Sequence, residues 1–432
     1  MTTEPRQPHR IARPPWIDEP ATRAVLDALS AGGAEARFVG GAVRDALLGR
    51  PLLGTSPGTD IDIATPAPPE RVIELLTKSG IKVVPTGVAH GTVTAVVPPR
   101  HFEITTLRRD VETYGRRARV AFGADWAADA ARRDFTINAI FLGADGAIDD
   151  PVDGLADLAA GRVRFVGDPA TRIAEDVLRI LRYYRFEARF GSGGGDPPAR
   201  NACRAAARLL ATLSAERFAQ ELIKLLDAAD PVAALGMMQQ DGVLAVVLPE
   251  AVRLDRLGRL VAIEPERDPL RRLAALIEVD RQGAVALAER LRLSNTCRDR
   301  LSGLARPWPA ELDPDVQQPR DRAAQRRALY RLGAERCRDL ALLMMANGER
   351  DTEWLAALHS LARDWQRPVF PLSGRDVTAL GIAPGPRVGA LLDAIERWWE
   401  AGDFAADRTQ CLARLKAIAS APTNRPGPRP QH

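Results

Sequence analysis

The sequence predicts an α+β protein in which a small α/β domain comes first and an all-helical remainder follows. Two observations predict this. Between Arg37 and about Asp150, runs with the alternating pattern of strands take turns with runs at helical spacing. From about Leu155 to Pro422 the chain is rich in Ala, Leu and Arg at helical spacing, interrupted by prolines. Because 432 residues exceed what one core usually holds, several domains are expected.

The first informative element is a strand that ends in a pair of glycines. Phe38 and Val39 are predicted to end a buried strand, and Gly40–Gly41 lets backbone N–H groups approach an anion without a Cβ in the way. A helix is expected from Ala42 to Leu48, with its N-terminus at that anion. Arg44 on this helix carries a planar guanidinium suited to phosphate oxygens. Taken alone, the glycine pair is also the pattern of an ordinary tight turn.

The second element carries closely spaced carboxylates. Asp60 and Asp62 alternate with two isoleucines, so on a strand both carboxylates share one face while the isoleucines enter the core. Two carboxylates at this spacing form a hard-oxygen site for Mg²⁺. Glu103, on a later predicted strand, is either a third metal-directed carboxylate or part of a solvated strand face.

In this order, Gly40–Asp45 and Asp60–Asp62 resemble the nucleotidyltransferase superfamily, in particular the class II tRNA CCA-adding enzymes and bacterial poly(A) polymerases. In that family Gly-Gly-x-Val-Arg-Asp and Asp-x-Asp are the signature of a polymerase β-like head domain. The resemblance implies that Asp60 and Asp62 bind catalytic Mg²⁺ and that Gly41 and Arg44 bind the nucleotide. An insertion within Leu52–Thr59 departs from the family pattern and is expected to bulge outward.

Two further segments of the predicted head domain carry charged side chains. The polar, glycine-punctuated run Arg108–Asp125 is predicted to be a mobile loop beside the site, with a solvated hairpin tip as the alternative. The octapeptide Arg132–Ala139 matches the second motif of the family. This match implies that Arg133 binds the triphosphate and that Asp134 and Asn138 hydrogen-bond the sugar.

A third motif lies in the helical half. Asp176, Arg179, Arg182 and Arg185 recur every third residue, so on one continuous helix each steps back about 60° and the four cover one side. The alternative is a helix laced with ion pairs at this spacing. A carboxylate beside a guanidinium complements the amino group and ring nitrogen that cytosine and adenine present, and it opposes the reverse order in uracil and guanine. The segment also resembles the Glu-Asp-x-x-Arg base-reading motif of the family, continued by two arginines that reach the nucleotide.

The expected organisation is a disordered lead-in, a nucleotidyltransferase head, a helical neck with the base-reading motif, an RNA-binding helical body and tail, and a disordered end. In residue numbers these are 1–22, 23–154, 155–226, 227–422 and 423–432.

The resulting prediction is an enzyme that adds CCA to the 3′ end of tRNA without a template, using CTP, ATP and Mg²⁺. A poly(A) polymerase would share every motif, and a tRNA-binding protein that has lost catalysis is the third alternative. The intact Asp-x-Asp and the full-length loop favour CCA addition.

Composition sets the remaining expectations. The near balance of 56 acidic and 60 basic residues permits an RNA partner without demanding one. Without a run of about 18 apolar residues, no membrane span is expected. Four widely separated cysteines predict a reducing cytoplasm. The oligomeric state is not predicted.

Overall fold

The computed structural model describes residues 9–51, 61–88, 91–114, 117–313, 316 and 320–420, with the backbone alone described at residues 86, 109–114 and 117–121. The chain divides into two compact units, Met1–Leu254 and Asp255–His432. All the described strands belong to the first unit, and helices dominate both, which confirms the predicted α+β class. The boundaries expected at 154 and 226 lie inside the first unit and stay predictions.

A mixed sheet of seven strands forms the centre of the first unit. The strands are β1 (Arg37–Val39), β2 (Ile61–Thr65), β3 (Lys82–Gly87), β4 (Thr92–Val97), β5 (Arg100–Thr106), β8 (Phe141–Leu142) and β9 (Ile148–Asp149), while β6 (Arg108–Tyr114) and β7 (Arg117–Phe122) form a separate hairpin. The spatial order in the sheet is β3-β4-β5-β2-β1-β8-β9, and the pairing of β2 with β5 is parallel whereas the other pairings are antiparallel.

Helices cover the sheet and then continue the unit. The apolar spacing of the helix Pro69–Lys78 places Val72, Leu75 and Leu76 in the core, as its periodicity predicts. The helices of this unit are α1 (Pro20–Ala31), α2 (Gly41–Leu47), α3 (Pro69–Lys78), α4 (Trp126–Ala131), α5 (Gly154–Ala159), α6 (Pro169–Glu175), α7 (Leu178–Phe190), α8 (Pro197–Ala206), α9 (Ala215–Leu226), α10 (Val232–Gln240) and α11 (Val243–Val247).

The run from Arg108 to Asp125 is mostly an antiparallel hairpin, so the prediction of a loop is corrected in favour of its alternative. Strands β6 and β7 pair from Arg108 opposite Phe122 to Tyr114 opposite Arg117. At its base, Leu107 is buried and its carbonyl accepts a hydrogen bond from Gly123 N at 3.0 Å. Backbone pairing needs no apolar side chains, which is why the charged composition concealed these strands.

The expectation of a disordered lead-in does not hold for residues 9–22. Ile148 N donates to His9 O at 2.8 Å, so this segment lines the edge of β9. Trp16 and Ile17 are buried, and the Trp16 ring meets Phe38 edge-on with centroids 4.8 Å apart. Burial of these two side chains, one aromatic and one aliphatic, stabilises the segment by about 1.5–3 kcal/mol for each. This explains why the segment packs against the domain despite its prolines.

All the named elements of the second unit, within its described residues, are helices. Its helices are α12 (Leu254–Ile263), α13 (Pro269–Leu276), α14 (Arg281–Arg290), α15 (Asn295–Leu304), α16 (Arg322–Leu332), α17 (Ala334–Asn347), α18 (Thr352–Arg363), α19 (Gly374–Thr378), α20 (Pro386–Ala401) and α21 (Arg408–Ala419). Within the part of the chain that the structure describes, no helix is long and apolar enough to cross a bilayer. The four cysteines of the protein are free thiols.

Candidate nucleotide and metal site

The glycine pair joins β1 to α2 and brings a carboxylate against the backbone. Gly40 caps α2 with φ 79° and ψ −140°, a conformation that L-residues rarely adopt. A Cβ built on Gly40 would lie 2.7 Å from Asp62 Oδ2. Glycine is therefore required here for its dihedral angles and also for the close approach of the carboxylate.

A second carboxylate faces the same way on the neighbouring strand. Asp62 of β2 is in register with Glu103 of the parallel strand β5. The residues that flank Asp62, Ile61 and Ile63, are fully buried, and the same alternation on β5 leaves Glu103 exposed. Adjacent strands lie about 4.8 Å apart, so the two side chains rise from the same face as neighbours.

This pair of hard oxygen donors fits a divalent cation such as Mg²⁺. Asp60, the other predicted metal ligand, lies outside the described residues, as does the insertion within Leu52–Thr59. Among the residues that are described, no group of three or more His, Cys, Asp or Glu side chains is placed to hold a metal. Of the two predicted metal ligands, the structure thus describes Asp62, which has Glu103 beside it.

Arg44, on α2, is buried. It donates from Nη1 to Asn138 Oδ1 at 2.7 Å and from Nε and Nη2 to Asp45 Oδ1 at 3.0 and 2.9 Å. Burial lowers the pKa of Arg44, although the adjacent Asp45 charge opposes that effect, and the charges of Arg185 and Arg189 lower it further. The guanidinium nevertheless stays charged at neutral pH, because arginine is not deprotonated in proteins.

The second motif continues this network to the helical part of the unit. Asn138 Nδ2 donates to Asp134 Oδ1 at 3.2 Å, and Arg182 Nε donates to Asp134 Oδ2 at 2.8 Å. Burial raises the pKa of Asp134, but the Arg182 charge and these hydrogen bonds outweigh it, so the carboxyl pKa falls below its ordinary value. We call Arg44, Asn138, Asp134 and Arg182 the motif chain, since it connects three motifs that are distant in the sequence.

Arg133, the predicted triphosphate ligand, lies outside the motif chain. Its Nη2 pairs with Asp129 Oδ2 at 2.8 Å, and Arg132 Nε donates to the other oxygen of the same carboxylate at 2.7 Å. Asp129 is buried on α4, so the two arginines share one fixed anion. The Arg133 guanidinium also lies 5.5 Å from the centre of the Phe141 ring.

The base-reading motif does not lie on one continuous helix, which corrects the sequence prediction. Helix α6 ends at Glu175, Asp176 is extended with φ −152° and ψ 109°, and α7 begins at Leu178. Asp176 Oδ1 accepts the Leu178 N–H at 3.1 Å, and Oδ2 accepts Arg217 Nη2 at 2.8 Å. An Asp that hydrogen-bonds the backbone two residues on favours a turn over helix, which explains the break.

The three arginines of this motif do share α7, as predicted. Arg179 pairs with Glu175 and donates to Arg172 O at 2.8 Å. Arg185 Nε donates to Glu221 Oε2 at 2.6 Å, and both side chains are largely buried. Arg217 and Glu221, both on α9, were not predicted as site residues, and the i,i+4 spacing of these two charges is their only signal in the sequence.

Comparison with known proteins agrees with this architecture. The sequence profile described as "Poly A polymerase head domain" matches residues 36–164, and that described as "Probable RNA and SrmB- binding site of polymerase A" matches residues 196–254. The mouse protein "CCA tRNA nucleotidyltransferase 1, mitochondrial" is 33% identical over 405 residues, which cover 88% of this chain and 86% of the mouse protein. The chain belongs to the family of CCA-adding tRNA nucleotidyltransferases.

Bacterial members of this family are similarly close. The CCA-adding enzyme of Lacticaseibacillus paracasei is 30% identical over 392 residues, which cover 89% of this chain and 93% of that enzyme. The crystal structure of the Bacillus stearothermophilus CCA-adding enzyme in complex with CTP superposes with a TM-score of 0.72 and 29% identity, covering 93% of this chain and 98% of the other. The resemblance seen in the motifs therefore extends over almost the whole chain.

Proposed function

We propose that the protein is an enzyme that adds C, C and A to the 3′ end of tRNA, using CTP and ATP and no nucleic acid template. The observation that carries this proposal is the motif chain, which joins the nucleotidyltransferase signature at Arg44 to the base-reading helix at Arg182. Family members named as CCA-adding enzymes match along most of the chain, and one was solved with CTP bound.

Divalent cations are the proposed cofactor, with Mg²⁺ as the specific ion. Asp60 and Asp62 would hold it, with Glu103 as a third carboxylate. Bound there, the metal would favour ionisation of the RNA 3′-hydroxyl and offset charge on the leaving pyrophosphate. The position of the Asp62 carboxylate would set where the metal binds. Gly40 makes that position possible, because it leaves room for the carboxylate at the start of α2.

The nucleotide would be held by groups from all three motifs. The triphosphate is assigned to Gly41, Arg44 and Arg133, and the ribose to Asp134 and Asn138. Arginine is suited to the first role because its guanidinium forms two parallel bonds to phosphate oxygens. The base is assigned to the remaining predicted residues of the site, which are Asp176, Arg179, Arg182 and Arg185.

Hydrogen-bond order explains how these groups would select the base. Cytosine and adenine offer an amino donor beside a ring-nitrogen acceptor, which a carboxylate and a guanidinium complement. Uracil and guanine offer the reverse order, which places acceptor against acceptor and donor against donor. Asp176 and Arg179 are each held by a third residue, Arg217 and Glu175 respectively, so their orientation does not depend on a direct bond between them.

The proposed partner is tRNA, bound mainly through phosphates and A-form shape. The proposed compartment is the cytoplasm, since the free thiols Cys203, Cys297, Cys337 and Cys411 suit a reducing environment.

The test is incubation of the purified protein and Mg²⁺ with a tRNA that lacks its 3′ CCA, supplying each labelled NTP singly and then CTP with ATP. CCA addition predicts that CTP extends the RNA by two residues and that ATP then adds one. Asp62→Ala should abolish both steps while tRNA binding, measured by filter retention, survives. Long adenosine tracts formed from ATP alone would instead identify a poly(A) polymerase, and a lack of extension with intact tRNA binding would identify a catalytically inactive tRNA-binding protein.

A further inference from the structure

One aromatic ring on α7 lies under three of the arginines assigned to the nucleotide. The centre of the Phe186 ring is 4.6 Å from the Arg185 guanidinium carbon, 5.4 Å from that of Arg44 and 5.6 Å from that of Arg182. Phe186 is only 4% exposed and the Arg44 and Arg185 side chains are largely buried, so these two cations meet the ring away from bulk water, whereas the Arg182 side chain is 32% exposed. Phe186 is not among the residues that the sequence predicted for the site.

A second ring extends this surface by one helical turn. Phe190 follows Phe186 at i+4 on the same face of α7, with ring centroids 5.6 Å apart. The Arg44 guanidinium carbon lies 4.0 Å from the centre of the Phe190 ring, the shortest of these contacts. The exposed Arg50 guanidinium lies 5.1 Å from the same ring. Arg44, from the head motif, therefore contacts two rings of the base-reading helix.

These contacts offset the repulsion between neighbouring arginines in the site. The charges of Arg185 and Arg189 lower the pKa of Arg44, and the charge of Arg182 lowers that of Arg185, so the arginines repel one another. Each guanidinium has one carboxylate partner, which engages part of its edge; these partners are Asp45 for Arg44, Asp134 for Arg182 and Glu221 for Arg185. The face of an aromatic ring is negative and attracts a cation without occupying its N–H donors.

We propose that Phe186 and Phe190 form an aromatic platform that positions Arg44, Arg182 and Arg185 for the incoming nucleotide. A carboxylate fixes each guanidinium at its edge and the platform fixes it at its face, so donors that remain can bind the triphosphate or the base. Because the rings and the base-reading arginines belong to one helix, the platform holds Arg44 of the head motif in register with them. The phenylalanines are positioning residues and do not touch the substrate in this scheme. This inference rests on the proposed assignment of these arginines to the nucleotide.

The central experiment compares Phe186→Leu with Phe165→Leu. Phe165 is equally buried and packs in the same aromatic cluster against Phe135 and Tyr183, so its replacement controls for the loss of a buried ring. The KM for CTP and ATP, kcat, the Kd for tRNA and the melting temperature would be measured for each variant. Phe186→Leu should raise both KM values by about 3- to 30-fold, the range that desolvated cation–π contacts represent. Phe165→Leu should change KM less than about twofold, and neither variant should change tRNA affinity.

A double-mutant cycle makes the test independent of folding losses. Phe190 is half-buried, so Phe190→Leu tests the Arg44 contact even if Phe186→Leu does not fold. The double variant Phe190→Leu with Arg44→Lys should raise KM less than the product of the two single effects. Arg50 lies near the same ring, and the double variant Arg50→Ala with Arg44→Lys should instead raise KM by the product of its two single effects. Phe190→Tyr, which keeps the ring, should restore KM.

Three results would overturn the platform: equal KM changes for the two buried phenylalanine variants, multiplicative effects of Phe190→Leu and Arg44→Lys, or a Tyr variant as impaired as the Leu variant. Failure of the unmodified protein to incorporate CTP and ATP would instead overturn the proposed function. The two failures are therefore distinguishable in one set of measurements.

Discussion

Replacement of Gly40 by alanine is expected to impair nucleotidyl transfer far more than it destabilises the fold. Its φ of 79° with ψ −140° lies in a region that residues with a Cβ rarely populate, and such backbone strain costs about 1–3 kcal/mol. The added Cβ would also lie 2.7 Å from Asp62 Oδ2, whereas ordinary contacts begin at 3.4 Å, so the carboxylate must retreat by about 0.7 Å. Because displacement of a reacting group by about 1 Å costs about 100-fold, we expect kcat to fall by about 10- to 100-fold.

Gly49→Ala is the control for a positive φ without a close side-chain contact. Gly49 has a similar φ of 65°, but nothing lies within 4 Å of a Cβ built there, so its replacement introduces the backbone strain alone. Both variants would be compared by thermal unfolding and by single-turnover incorporation of labelled CTP into a tRNA without CCA. If Gly40→Ala and Gly49→Ala lose equal activity, the close approach of Asp62 to Gly40 does not matter for catalysis.

Three further predictions concern base selection, the hairpin and pH. Asp176→Ala and Arg179→Ala should each reduce the preference for CTP and ATP over UTP and GTP, because each removes one arm of a pair worth about 1–3 kcal/mol per charged hydrogen bond; a uniform loss with all four NTPs, in competition assays, would make them structural. Shortening Glu112–Arg119 of the hairpin to a tight turn should leave CC addition largely intact and remove the terminal A. The reason is that the site must shift to accept a purine after the second C, and the hairpin is expected to drive or accommodate that shift. Product gels that show equal slowing of all three additions would contradict this. Burial raises the pKa of Glu187 to about 7, so the folded protein retains a proton that the unfolded chain releases above its ordinary pKa of 4.5. The free energy of unfolding should therefore fall as pH rises through that interval. Relative to the unmodified protein, Glu187→Gln should gain about 3 kcal/mol in free energy of unfolding as the pH is raised to 8, measured by denaturant titration. Parallel pH profiles of the two proteins would refute the shift.

Local elements of the site could be predicted because they are encoded by neighbouring residues. The alternation around Asp62 fixed its strand face, and the glycine pair marked the turn into α2. The break before α7 was missed because the spacing of Asp176 and Arg179 fits a helix equally well. What decides it is a hydrogen bond from Leu178 N to the Asp176 side chain, a local competition that periodicity does not record.

Long-range partners could not be predicted at all. Arg44 meets Asn138 across 94 positions in the sequence, and Arg185 meets Glu221 across 36. Without a fold, every arginine has many carboxylates and amides to choose from, and charge patterns rank none of them. The family resemblance identified most of these residues, but it did not identify Glu221 or the carboxylate that fixes Arg133, which is Asp129.

The motif chain also bears on how the enzyme is made. Arg182 follows its partner Asp134 by 48 residues, so a ribosome that adds about 5–20 residues per second exposes the carboxylate seconds before its cation exists. Until then the nascent head domain contains a carboxylate that is costly to bury, by several kcal/mol, without its guanidinium. The head can therefore close fully only after α7 has left the exit tunnel. Nucleotide binding is in this way deferred until the helix that selects the base has been synthesised.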